Sequence, residues 1–312
     1  MDYSWRAIQV HEGLEESVGE QRRNMSLPKP ASHVRLKNIL YATDFSPAAE
    51  KALPFALQIA RRYEATLHVL HVVRPSVYPL VPPAGWVQME KEEEASRNQS
   101  RKELEAQLEG LAHDIMFKEG DVWERIQEAV REKEIDLLVI GTHGRRGLEK
   151  TALGSIAEQA LRRASCATLT IGPKIAMQAK SAAGWARILY ATDFTTASLA
   201  AVRHAISLAR ENRAQLILLH CAERESDVQV MLHTLRDLVP FGSDLRAEPD
   251  CVVAHGNPPE KILEVAEEHG TDIIVLGVDA AQGKFKKKIH INQTGIYKIL
   301  TRATCPVLTI RA

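Results

Sequence analysis

The sequence predicts an α/β fold written twice, each copy an open five-stranded parallel sheet lying between helix layers. Three observations predict it. The first is internal repetition: Asn38-Ile-Leu-Tyr-Ala-Thr-Asp-Phe-Ser46 returns as Arg187-Ile-Leu-Tyr-Ala-Thr-Asp-Phe-Thr195, and Cys166-Ala-Thr-Leu-Thr-Ile171 as Cys305-Pro-Val-Leu-Thr-Ile310. The second is a set of short runs apolar at nearly every position, such as Leu137 to Ile140, the mark of strands covered on both faces. The third is the amphipathic segments between those runs, for example Ala48 to Arg62 with Leu53, Ala56, Leu57 and Ala60 on one face.

In the first copy these patterns place strands near 37–42, 66–72, 113–118, 136–140 and 167–171. Helices are expected near 47–63, 88–112, 121–133 and 155–163. Arg74 to Trp86 holds four prolines and a glycine and reads as a loop at the end of the second strand, placed to cover a ligand. The second copy repeats the strands near 187–191, 215–220, 248–253, 272–276 and 306–310. The expected division is a tail or docking arm over 1–33, a first domain over 34–173, a linker over 174–186 and a second domain over 187–312.

Composition narrows the function. The 312 residues are 45% hydrophobic and carry 40 basic against 40 acidic side chains, so no global field favours nucleic acid or an anionic membrane. No apolar run approaches the roughly 20 residues that span a bilayer, and the first thirty residues lack a secretory pattern; a cytoplasmic location is expected. Cys166, Cys221, Cys251 and Cys305 show no metal-ligand spacing and read as small buried side chains, with no resident metal expected.

In open α/β sheets ligands sit beyond the carboxyl ends of the strands, where the crossover direction reverses. There the first copy reads Gly141-Thr-His-Gly144, nine further residues, then Gly154-Ser155, a G-x2-G-x9-G-S pattern. Glycines let successive N–H groups approach phosphate oxygens without a Cβ in the way, and Ser155 is expected to cap the helix from Ile156. A connecting turn with no ligand is the alternative reading. Asp44, after Thr43 at the end of the first strand, supplies an acceptor for a ribose or an adenine amine on the same edge of the sheet. Gly144 to Thr151 is not a P-loop, because Glu149 stands at the second glycine, and no dinucleotide GxGxxG follows the first strand.

Ile39 to Ser46, His71-Val72-Val73, Gly141-Thr-His-Gly-Arg-Arg-Gly147, Gly154-Ser155 and the closing Cys166 to Ile171 strand resemble the universal stress protein family, in its tandem two-domain form, over about residues 34–312. The resemblance implies Rossmann-like domains of the adenine nucleotide alpha hydrolase type. It further implies an ATP site, with or without magnesium, in which Asp44 and the Val72 backbone hold adenosine and Gly141, Gly144, Gly154 and Ser155 hold the phosphates. Ala42, Thr43, Ile140, His143 and Ile156 would line the same pocket. It also implies pairing of the last strands, here within one chain through 167–171 and 306–310; a homodimer of whole chains is compatible with it.

The second copy departs from this pattern. Ala280 stands at the second glycine, Gln293-Thr294 replace Gly154-Ser155, and Lys284, Lys286, Lys287 and Lys288 occupy the loop, so one nucleotide site per chain is expected. That lysine run reads as a solvated loop or an anion contact, and His71 and His220 read as structural rather than catalytic. The leading function is a non-enzymatic stress-response nucleotide binder acting through ligand-dependent conformation or partner affinity. A weak ATP hydrolase and a nucleotide-independent dimerisation module are the alternatives.

Overall fold

The computed structural model describes residues 34–73, 83–142, 153–175, 184–222, 228–279 and 293–311. The expected tail over 1–33, the proline-rich loop over 74–82, His143 to Ala152 and the lysine segment lie outside these. The first half runs β1 (Asn38–Thr43), α1 (Pro47–Glu50), α2 (Leu53–Tyr63), β2 (Thr66–Val73), α3 (Pro83–Gln107), β3 (His113–Glu119), α4 (Val122–Glu132), β4 (Leu137–Gly141), α5 (Ser155–Arg163) and β5 (Ala167–Ile171). The second half runs β6 (Arg187–Thr192), α6 (Thr196–Asn212), β7 (Gln215–Ala222), α7 (Val228–Asp237), β8 (Asp250–His255), α8 (Pro258–Glu268), β9 (Ile273–Val278), α9 (Gln293–Arg302) and β10 (Val307–Arg311).

All ten strands form one sheet in the order β3-β2-β1-β4-β5-β10-β9-β6-β7-β8. Within each half the neighbours are parallel, and the crossover direction reverses between β1 and β4 and between β6 and β9. The halves join where β5 and β10 run antiparallel with Leu169 opposite Leu308, the repeat-equivalent leucine, so a pseudo-two-fold axis passes between them. The expected pairing of the last strands is thus made inside the chain.

One face of the sheet carries a core continuous across both halves, with Ile59, Leu104, Leu208 and Leu235 packed on strand residues from both copies. The other face carries two separate cores, one under α4 and α5 and one under α8 and α9. Polar ties cross the junction as well. The Tyr63 hydroxyl donates to the Glu211 carboxylate, the Val34 N–H donates to Ser207 Oγ at 3.0 Å, and Arg162 Nε donates to the Tyr297 hydroxyl at 3.1 Å.

Two expected helices differ in the structure. The single helix over 47–63 is broken at Lys51–Ala52, because Pro54 has no N–H and its ring opposes the carbonyl four residues earlier. Its counterpart α6, with Arg203 at the position of Pro54, runs unbroken for 17 residues. The helix expected over 88–112 is Pro83–Gln107, so the loop expected as far as Trp86 ends earlier, at a proline tolerated in a first helical turn.

Candidate functional site

The site begins with the turn after β1. Thr43 Oγ1 accepts the Phe45 N–H and Asp44 Oδ1 accepts the Ser46 N–H, both at 3.0 Å, and Ser46 Oγ in turn accepts the Ala49 N–H at 3.2 Å as the N-cap of α1. Phe45 sits between them in the left-handed region at φ 56°, a conformation a bulky L residue adopts only when its surroundings dictate it. The turn bond to Thr43 and ring packing surround it: Phe45 lies 4.6 Å from His71, and both contact Phe117. The His71 ring is fixed by the Thr43 carbonyl, 2.8 Å from Nδ1, which therefore carries the proton. This aromatic cluster was not visible as a site in the sequence; the Phe that follows Asp in both copies was its only signal.

The second wall comes from β4 and α5. Thr142 N–H donates to the Ile171 carbonyl at 3.0 Å, and the Gly154 N–H donates to the Thr142 carbonyl at 2.7 Å. That bond draws the start of α5 back to the end of β4, closing the ends of the glycine loop. Gly154 is the N-cap, with no side-chain capping bond, and Ser155 is the first helical residue. The expectation that Ser155 caps the helix is thereby corrected: Gly154, not Ser155, has the extended ψ of 150° that an N-cap needs. First-turn amides left without a side-chain cap, at the positive end of a helix dipole, form a donor set suited to an anion.

Between these walls the structure brings together the four apolar residues expected to line a pocket. Ile140 belongs to the core under α4 and α5, and Ala42, Val72 and Ile156 pack against that same core, half-buried at the carboxyl ends of β1 and β2 and at the start of α5. Thr43 alternates to the opposite face and is buried there. Gly141 closes β4, where an added Cβ would lie 2.9 Å from the Ala48 carbonyl oxygen. The glycine is therefore required for α1 to approach β4, whatever else it does. His143 and Gly144 lie outside the described residues.

The second half reproduces the first wall. Asp193 Oδ1 accepts the Thr195 N–H at 3.1 Å, Phe194 is left-handed at φ 59°, and His220 Nδ1 meets the Thr192 carbonyl at 2.9 Å. Burial lowers the His220 pKa against the opposing pull of that carbonyl, which keeps the ring neutral.

The profile described as "Universal stress protein family" matches residues 35–172 and again 184–235, more than half of the chain. The chain belongs to the universal stress protein family. It is 30% identical over 138 residues to a universal stress protein of Methanocaldococcus jannaschii, covering 43% of this chain and 81% of that protein. It is 32% identical over 143 residues to universal stress protein A homolog 1 of Coxiella burnetii, covering 44% of this chain and 97% of that one. Each such relative therefore corresponds to one half of this tandem universal stress protein. Among solved structures, a universal stress protein from Archaeoglobus fulgidus aligns over 88% of this chain and 98% of its own with TM-score 0.67 at 19% identity, a likeness of fold. The second profile match ends at 235, before β8, although the strands beyond it complete the repeat. Among the described residues no helix is long and apolar enough to cross a membrane, and no three metal-ligating side chains cluster.

Proposed function

We propose that this tandem universal stress protein acts in the cytoplasm as a stress-response nucleotide binder, and that its first half takes one ATP. Adenosine would lie on the patch of Ala42, Val72, Ile140 and Ile156 beside Asp44, and the phosphates against the first turn of α5 at Gly154 and Ser155. The observation that carries this reading is the Gly154 to Thr142 bond, because it sets an N-cap without a side chain at the point where the crossover reverses. Gly141, His143 and Gly144 extend the phosphate side in the same reading.

Binding rather than turnover is the function we assign. Burial pushes the Cys166 thiol up to about 12 and the Cys221 thiol up to about 11, so neither is a thiolate at neutral pH. Asp44 already spends an oxygen on its own turn. Occupancy acts on a partner only through a difference in affinity between open and ordered states of the site.

The test is calorimetric titration of the purified chain with ATP, ADP and AMP, alongside acid extraction of co-purified nucleotide. One ATP per chain is expected, with affinity reduced at least roughly tenfold by Gly154→Val combined with Ser155→Ala. Wild-type protein that binds no adenine nucleotide, or a double variant that binds as tightly as wild type, overturns the site. Metal-dependent steady turnover instead makes the chain an ATP hydrolase.

A further inference from the structure

The helix that begins at the proposed phosphate cradle is packed by both halves of the molecule. α5 lays Ala157 and Ala160 on the core of its own half, while Leu161 is buried in the core under α8 and α9. Leu153, the residue before the Gly154 N-cap, packs against both cores at once. At the far end of the helix Arg162 Nε donates to the Tyr297 hydroxyl of α9 at 3.1 Å, and its guanidinium also pairs with Glu158 at 2.9 Å.

A second route reaches the same turn through the backbone. A Cβ on Gly172, the residue after β5, would lie 2.8 Å from the Leu300 carbonyl oxygen, so the missing side chain is what lets α9 rest on the end of β5. The neighbouring Ile171 carbonyl accepts the Thr142 N–H at 3.0 Å, and the Thr142 carbonyl accepts the Gly154 N–H at 2.7 Å. An unbroken series of backbone contacts thus runs from α9 to the N-cap of α5.

These two contacts are not mirrored. Leu300, the repeat counterpart of Leu161, is buried in the core of its own half. The counterpart of Gly172 is Arg311, whose Cβ denies α5 the same approach to the end of β10. The half without the glycine pattern therefore braces the helix of the half that has it.

We propose that the second half is the positioning element of the first half's nucleotide site, and that Leu161, Gly172 and Tyr297 are positioning residues holding the first turn of α5 where phosphates would meet it. The assignment rests on the ATP site proposed for the first half. Leu161 and Tyr297 lie in or against the core under α8 and α9, and Gly172 lies against α9 itself. The adenosine patch of Ala42, Val72, Ile140 and Ile156 packs instead on the core under α4 and α5. Loosening the brace should therefore act on the phosphate end and spare the nucleoside end. Donors held in place by packing gain affinity because the ligand does not have to order them.

The test is calorimetric titration of the full chain with ATP and with adenosine, and the readout is the ratio of the two affinities. A general loss of stability weakens both ligands and leaves that ratio where it was. Leu161→Ala is expected to lower the ratio roughly tenfold, Leu161→Met to restore most of it, and Tyr297→Phe to lower it about threefold. Leu219→Ala makes the same truncation in the same core, but on β7, which β9 and β6 separate from β10, and should leave the ratio unchanged. Should Leu161→Ala fail to fold, Tyr297→Phe decides, because it keeps the ring and its packing. A wild type that takes adenosine as tightly as ATP, or takes neither, refutes the phosphate cradle itself and this inference with it. A wild type that prefers ATP, with the same preference in Leu161→Ala and Tyr297→Phe, overturns the positioning role alone. So does an equal fall in the ratio for Leu161→Ala and Leu219→Ala.

Discussion

The two halves of the molecule keep different things, and the difference separates what the fold needs from what a ligand needs. Both retain the Thr-Asp-Phe turn with the same bonds, the same left-handed phenylalanine and the same histidine against a threonine carbonyl. Both anchor it from below, Tyr41 donating to the Ala49 carbonyl at 3.0 Å and Tyr190 to the Ser198 carbonyl at 2.6 Å. The survival of Asp193 in a half without the glycine pattern therefore has a structural cause: the carboxylate builds the turn that starts α6. What the first half has alone is Gly154-Ser155, where the second half has Gln293-Thr294. A difference in binding between the halves has to be sought there, because the aspartates are common to both.

Gly141 at the end of β4 and Gly277, one residue before the end of β9, give the largest expected effect. A Cβ on Gly277 would lie 2.1 Å from the Ala197 carbonyl oxygen and 2.4 Å from Ser198 Cα, whereas on Gly141 its nearest neighbour is 2.9 Å away. Both obstacles are backbone, so relief requires moving a helix, and α6 is the longer and more deeply buried one. Gly277→Ala is expected to cost about 3 kcal/mol or more and Gly141→Ala about 1 to 2, read from urea unfolding midpoints. Equal costs would show that helix approach is not what these glycines serve.

The repeat and the positions of the strands in each half were legible in the sequence because apolar runs and their echoes are one-dimensional signals, while the pairing of the last strands was implied by the family resemblance. Breaks in helices were less so. Pro54 stood in plain view, but its effect was masked by the apolar periodicity that continues through Leu57 and Ala60. The apolar patch at the strand ends was readable from the family pattern. The close approach of α1 to Gly141 was not legible, because a glycine at a strand end looks the same in sequence whether a ligand or a helix backbone approaches it, and only the fold brings the Ala48 carbonyl to it. The cap was misassigned to Ser155 for a related reason: composition names residues that can cap, while the Thr142 carbonyl decides where the helix begins.

Acid should separate the halves next. Burial, with Arg203 adding repulsion against the pull of the Ala200 carbonyl, pushes the His204 pKa down from 6.5 to about 4; Phe55 occupies the equivalent place in the first half. The unfolded chain takes up this proton below pH 6.5 and the folded one does not until near pH 4. The stability tied to a neutral His204 is thus intact above pH 6.5 and lost as pH falls toward 4, by roughly 2 kcal/mol at pH 5. Burial lowers His68 and His220 in the same sense. His204→Phe should therefore flatten, without abolishing, the decline in unfolding free energy between pH 7 and pH 5. A variant that declines as steeply as wild type removes His204 from the account.

The smallest effect is the most discriminating. Ser46 Oγ accepts one capping bond at 3.2 Å, while Thr195 Oγ1 accepts one at 3.3 Å and also donates to Asp193 at 2.6 Å. Truncating either to alanine should cost about 1 kcal/mol in thermal unfolding, with Thr195→Ala the costlier because its hydroxyl also ties down the aspartate. Their effects on nucleotide should part completely. Ser46→Ala loosens the turn that holds Asp44 and is expected to weaken ATP severalfold, whereas Thr195→Ala leaves ATP affinity unchanged because its turn faces no glycine-capped helix. Titration of the two variants under one condition reads both. Equal losses of affinity would place a nucleotide contact in the second half as well, and the division of labour between the halves would have to be redrawn.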